Sequence, residues 1–131
     1  MGFRFEFEPV HKILLARFEG RLTDKSLGEF YREGLKHWAA TDARAAISDY
    51  TSAEWAVSAE FIRELASQEP AVTEPNQRRR IVVAPSTVGF GLARMFQIVG
   101  ERKRPLLQVV RTMEEAFEAL GIESPHFEPL E

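Results

Sequence analysis

The chain opens on "GFRFEFE", where Phe3, Phe5 and Phe7 alternate with Arg4, Glu6 and Glu8. A period of two marks a strand with one face turned to a core, so the opening stretch is expected to be the first strand. After Pro9, "HKILLARFEG" carries Ile13, Leu14 and Leu15 as a continuous apolar run that closes at Gly20. The short link between the two runs predicts an antiparallel hairpin. The period then changes: Leu27, Phe30, Tyr31, Leu35 and Trp38 recur at three- and four-residue spacing, while Lys25, Glu29, Arg32, Glu33 and Lys36 fall elsewhere. That is a core-facing helix, which Thr23 or Asp24 can cap. "AAISDY" (45–50) reads as a short buried strand followed by a loop over 51–58. Ser58 opens a second helix with Phe61, Ile62 and Leu65 inward, until Pro70 and the polar loop "EPAVTEPNQ" end the segment.

In the second half "RRIVVAP" predicts a fourth strand, "PSTVGFGLARMFQ" the start of a third helix, "LLQVV" a fifth strand and "TMEEAFEALG" a last helix stopped by Gly121. The third helix is expected to bury a stripe of Val88, Leu92, Met95, Phe96 and Val99. After the hairpin, strand and helix alternate, which implies parallel neighbours joined by right-handed crossovers. The expected class is α/β: one domain over 1–131 with its core at 3–121 and a tail at 122–131. Its sheet is mixed and mostly parallel, five-stranded, with an N-terminal antiparallel hairpin and about four helices.

A chain of 131 residues suits one core. With 44% hydrophobic and 28% charged residues it has the composition of a folded globular protein, and its net charge of −3 excludes little. It has no cysteine, which rules out a disulfide framework, a thiol nucleophile and a cysteine metal site. No apolar run approaches the ~18 residues that span a bilayer, and the first residues lack the pattern of an export signal. The expectation is a cytoplasmic protein without membrane attachment.

Two features carry candidate chemistry. The first is the start of the third helix, where Gly89 and Gly91 weaken it by roughly 0.5–1 kcal/mol each relative to alanine. This helix follows a strand, so its N-terminus lies at the carboxyl edge of the sheet, where open α/β folds bind ligands. Its free N–H groups can hold an anion, with Ser86 or Thr87 capping and the glycines admitting a close neighbour. The alternative is packing, the glycines letting the helix press on the sheet or on the 51–58 loop. Neither a phosphate-binding loop nor a dinucleotide fingerprint is complete. The second feature is that loop itself, where Asp49, Tyr50, Thr51, Ser52, Glu54 and Trp55 collect at the same edge. Trp55 either lines a small pocket or lies as a lid on the core.

No histidine or paired carboxylate takes a position suited to acid/base work, so no catalytic set is named. His11, His37 and His126 share no metal-ligand spacing, are expected to be solvated, and leave neither metal nor cofactor implied. Arg78, Arg79 and Arg80 precede the fourth strand, and Arg102, Lys103 and Arg104 the fifth. Both clusters fall at the amino edge and read as solvated strand ends. The lack of an interleaved aromatic platform and the acidic balance of the chain count against nucleic acid as a partner.

The order strand, strand, helix, then three strand-helix pairs over residues 3–121 resembles the STAS domain, the fold of bacterial anti-sigma-factor antagonists. "FEGRLT" (18–23) and "APSTVGFGLARMFQ" (84–97) are similar to stretches of a set of small bacterial STAS-like proteins that share this helix start. In antagonists that work by phosphorylation, the strand matching "AAISDY" is followed by a loop and an aspartate-serine pair opening the next helix. The resemblance places Ser58 at the phosphorylated serine, with Val57 where aspartate is usual and Glu60 near an expected glycine, a degraded motif. Ser58 is therefore either a plain N-cap or a phosphorylation site.

These readings together imply a non-enzymatic regulatory module that binds a partner protein through Ser52, Trp55, Ser58, Ser86, Thr87, Gly89, Phe90, Gly91 and Arg94. The alternative is a sensor of a small anion or nucleotide at the Gly89–Gly91 helix start. The three N-terminal phenylalanines further suggest a homodimer built on the hairpin, unless the protein's own helices cover them.

Overall fold

The alternation at the N-terminus produces the hairpin it predicts. In the computed structural model, which describes residues 2–68 and 78–130, β1 (Gly2–Glu8) runs antiparallel to β2 (Ile13–Thr23), with Phe5 opposite Ala16. Then follow α1 (Asp24–Ala40), β3 (Ala45–Ala56), α2 (Ala59–Ser67), β4 (Arg79–Val83), α3 (Thr87–Val99), β5 (Leu107–Val110) and α4 (Met113–Leu120). The strand order is β5-β4-β3-β2-β1-β6, where β6 is Glu128–Pro129, and β2 through β5 are parallel neighbours. The polar loop expected at 69–77, with Pro70 as a helix stop, lies outside the described residues.

Three expectations about the sheet are corrected. Among the described residues the sheet has six strands, not five, because the tail returns to pair Glu128 and Pro129 with Phe7 and Glu6. Leu130 N–H adds a bond to the Phe5 carbonyl at 2.8 Å. A two-residue strand containing a proline has no period to read. Second, β2 does not close at Gly20: it continues to Thr23 through Gly20 at φ +98°, a backbone value that glycine adopts without strain. Third, the loop expected at 51–58 is mostly strand, Ser52 to Ala56 pairing with Glu19 to Thr23.

The two sheet faces are built differently. On one, α1, α2 and α3 cover Leu14, Phe18, Leu22, Tyr50 and Val82, and Phe30 of α1 lies with its ring centre 5.4 and 5.9 Å from those of Phe3 and Phe5. Each large apolar side chain so buried contributes about 1.5–3 kcal/mol. The phenylalanines of β1 are thus covered from within, and β6 occupies part of its edge, which removes the reason for a homodimer built there. On the other face α4 packs on the sheet centre, formed by Ile13, Leu15, Ile47, Ile81 and Val83. Beyond the reach of α4 that face carries charges instead, Arg4 pairing with Glu6 and Glu19 at 3.2 Å and Arg17 with Glu6 at 3.6 Å.

Helix ends follow local chemistry. Thr23, not Asp24, caps α1 in a reciprocal pair with Ser26, and Thr112 with Glu115 does the same for α4. Gly121 ends α4 in the left-handed region at φ 68°.

The inward face of α3 is not the expected stripe. Gly89, Ala93 and Phe96 are buried and Leu92 and Met95 half-buried, whereas Val88 and Val99 are 62% and 45% exposed. The helix comes close through its small residues: a Cβ on Gly89 would lie 2.6 Å from Cε2 of Trp55. A Cβ on Gly91 meets nothing within 4 Å, so the close-approach reading holds for one glycine and fails for the other. Nothing in the structure explains the glycine at 91.

The basic clusters are solvated strand ends only in part: Arg102 is exposed, and the others are half-buried or buried. Arg104 is 4% exposed and donates to the Ala66 carbonyl at 2.9 Å and the Tyr31 hydroxyl at 3.2 Å, with its guanidinium 4.7 Å from the Phe96 ring centre. It joins α1, α2 and α3. Arg78 lies over Trp38 at 4.3 Å and Arg79 donates to Gln108 at 2.6 Å.

Two outcomes follow for thermal denaturation. Gly89→Ala is expected to destabilise by about 1–3 kcal/mol through overpacking on Trp55, while Gly91→Ala gains about 0.5–1 kcal/mol from helix propensity. A rise in melting temperature for both would contradict the packing described. Arg104→Met keeps much of the apolar stem and loses the donors, and it should cost at least about 1.5–3 kcal/mol; an unchanged melting temperature would show that the three-helix tie carries no stability.

Candidate functional site

Along β3, side chains alternate between the faces until residue 49, and there the register with β2 shifts. Asp49 is opposite Arg17 but Ser52 is opposite Glu19, so three steps on β3 match two on β2. The extra residue reverses the alternation, and Tyr50, Ala53 and Trp55 all pack on the helix-bearing core. Asp49 points the other way, 4.0 Å from Arg17, and its carboxylate accepts from the Thr51 N–H at 2.9 Å. The cluster expected at the carboxyl edge is therefore split between faces. Trp55 sits with its ring 4.9 Å from Tyr50 and against Gly89, which makes it a packed element of the core edge.

Ser58 is the N-cap of α2: its Oγ accepts the Phe61 N–H at 3.1 Å. It has a second partner that the sequence did not reveal. Asp24, in the first turn of α1, accepts the Ser58 N–H at 2.8 Å and the Ser58 hydroxyl at 2.9 Å, one carboxylate oxygen for each. The N-termini of α1 and α2 thus converge on a single carboxylate. Both helix dipoles favour negative charge at that point. The pair spans 34 positions of sequence, so no local signal announces it. Ser58 is exposed and Asp24 half-buried, which leaves the hydroxyl accessible at the surface.

At the start of α3, Ser86 caps the helix by accepting the Gly89 N–H at 3.0 Å. Ser86, Thr87, Gly91 and Arg94 are exposed and Phe90 half-buried, with the Arg111 guanidinium 4.0 Å from the centre of its ring. Arg94 donates to Gln97 at 2.5 Å, one turn along its own helix. Of the residues named from sequence, Trp55 and Gly89 touch; Ser58 is tied to Asp24 rather than to α3; Ser52 and Arg94 have no bond to the others.

Only His37 is less solvated than expected, packing on Phe5 with ring centres 4.4 Å apart; His11 is exposed, its Nδ1 2.9 Å from the Glu8 carboxylate across the hairpin turn. His126 is exposed in the tail. Among the described residues no three metal-ligating side chains gather, and no helix is long and apolar enough to cross a membrane.

No family model matches the chain, and no curated protein matches it in sequence. Solved structures do. One, described as the anti-sigma factor antagonist SpoIIAA in its unphosphorylated form, superposes with a TM-score of 0.57 at 15% identity, covering 94% of this chain and 100% of that one. Another, the Bacillus cell fate determinant SpoIIAA in the phosphorylated form, gives 0.52 at 18% identity, covering 91% and 99%. The likeness spans most of each chain, and the chain has the STAS-like α/β fold of the anti-sigma-factor antagonists.

Proposed function

We propose that the chain is a non-enzymatic regulatory module that binds a partner protein through the surface where the N-termini of α1 and α2 meet, with Ser58 at its centre. The observation that carries this reading is the Asp24–Ser58 bridge: an exposed hydroxyl on a helix N-terminus, held by a carboxylate from a second helix. The fold supports it, because SpoIIAA has been seen both unphosphorylated and phosphorylated. A phosphoryl group on Ser58 would remove the hydroxyl proton that Asp24 accepts and set a dianion against that carboxylate. Repulsion would break the α1–α2 bridge while the α2 dipole holds the new charge. Such a change alters shape and charge on one small surface, which suits a binding switch. The absence of aspartate at Val57 bears on which enzyme recognises the site, not on this electrostatics.

The sensor reading at Gly89–Gly91 draws less support. Ser86 already caps the Gly89 N–H, and the indole of Trp55 fills the space that the missing Cβ leaves.

The test is affinity purification from the source cells with the intact chain as bait. The reading expects one protein recovered in stoichiometric amount by wild type and by Ser58→Ala, and lost with Ser58→Glu. Equal recovery by all three, or saturable stabilisation by phosphate or nucleotides in place of a protein partner, would overturn it. Asp24→Ala removes both acceptor bonds to Ser58 and is expected to destabilise by about 0.5–2 kcal/mol in denaturant melts. No loss would show that the bridge holds nothing together.

A further inference from the structure

On the helix-bearing face the centre of the sheet is floored by small side chains. Ala16 of β2 stands beside Ser48 of β3, and Ala46 lies two residues back on the same face. The opposite face fills the same stretch with Leu15, Ile47 and Ile81. The space left under the helices forms two adjoining chambers, both partly open to solvent. One, of about 40 Å³, lies beneath α1, walled by Phe30, Leu35 and Trp38. The other, also of about 40 Å³, lies between α1, α2 and α3, walled by Leu65, Phe96 and Trp55. Tyr31, Ser48, Tyr50 and Arg80 line both and form a polar waist between apolar walls.

Among the described residues no carboxylate lines the waist. Tyr50 is 8% exposed, and its hydroxyl, on the open chambers, has no hydrogen-bond partner among the described residues. The indole nitrogens of Trp38 and Trp55 are buried and unbonded as well. Arg80 is half-buried, lies 5.6 Å from the Tyr31 ring centre, and forms no ion pair with a carboxylate among the described residues. Burial would raise the Tyr31 phenol, but Arg80 and Arg104 outweigh it and hold the group below its ordinary range. The chambers therefore combine a half-buried cation with no carboxylate partner among the described residues, an unbonded phenol and apolar walls, the composition of a small-molecule site.

We propose that the joined chambers bind a small amphipathic carboxylate, its head accepting from Arg80 and from the hydroxyls of Tyr31 and Tyr50, its apolar body lying on Leu65 and Phe96 beneath Trp55. The anion supplies the charge that Arg80 lacks and the acceptor that Tyr50 lacks. The site stands apart from the Asp24–Ser58 surface, and does not depend on the partner-binding reading.

The chain has two tryptophans, Trp38 and Trp55, one on each chamber, so intrinsic fluorescence reports occupancy directly. Octanoate titrated into the intact protein is expected to give a saturable change in emission. Octylamine and octanol, of equal chain length, should bind far more weakly. The change should persist in Trp38→Phe and largely vanish in Trp55→Phe. Arg80→Gln is expected to weaken octanoate binding by about tenfold or more, and Tyr50→Phe by about two- to tenfold. No saturable signal with octanoate, or equal affinity for octylamine or octanol, would overturn the proposal. So would undiminished binding by a folded Arg80→Gln. If that variant does not fold, Tyr50→Phe and the comparison of the three head groups decide the question.

Discussion

The close approach of Gly89 to the indole of Trp55 is the contact on which the carboxyl half of the molecule depends. It requires that β3 run past the point where β4 stops, and that a bulge at residues 49 to 52 turn Trp55 toward the helices. It requires, equally, that α3 present no Cβ at 89. With both conditions met, α3 settles on Trp55, Trp55 on Tyr50, and Tyr50 edge-on against Phe30 of α1 at 5.6 Å. A chain of aromatic contacts thus runs from the third helix to the first across the sheet.

The helices are otherwise joined by polar ties rather than by close packing alone. Arg104 binds α1, α2 and α3 at the amino side, and Asp24 bridges α1 to α2 at the carboxyl side. Between these two ties the sheet floor is low, and the chambers lie there. This arrangement explains how a domain can leave space in its core without losing its helices: side chains at the margins hold the layer while the centre stays underfilled. It also keeps two polar features apart: an exposed hydroxyl beside a carboxylate at the Asp24–Ser58 corner, and a half-buried cation beside phenols in the interior.

Much of the fold was legible in the sequence because it rests on local rules. The alternation of Phe3, Phe5 and Phe7 made β1, the spacing of Leu27, Phe30 and Trp38 made α1, and Gly121 stopped α4 where its φ of 68° favours glycine. What escaped rests on contacts between distant segments. "TSAEWA" looks like a loop because its pattern breaks at a bulge that only pairing with β2 defines. The inward face of α3 is made of Gly89 and Ala93, residues that no hydrophobic stripe can reveal. Arg104 reads as a surface cation from its neighbours Arg102 and Lys103, yet it is buried because carbonyls freed at the end of α2 accept its protons. Ser58 was legible as a cap. Its partner Asp24 was not.

The central claim is that Trp55 and Gly89 form one packing unit, and a double-mutant cycle in reversible denaturation tests it most directly. Gly89→Ala is measured alone, with Trp55→Leu alone, and in combination. If the added methyl clashes with the indole, shortening residue 55 relieves it, and the two changes should be non-additive by about 1 kcal/mol or more in the favourable direction. Additivity within about 0.3–0.5 kcal/mol would mean that the two residues do not sense each other, and would contradict the account.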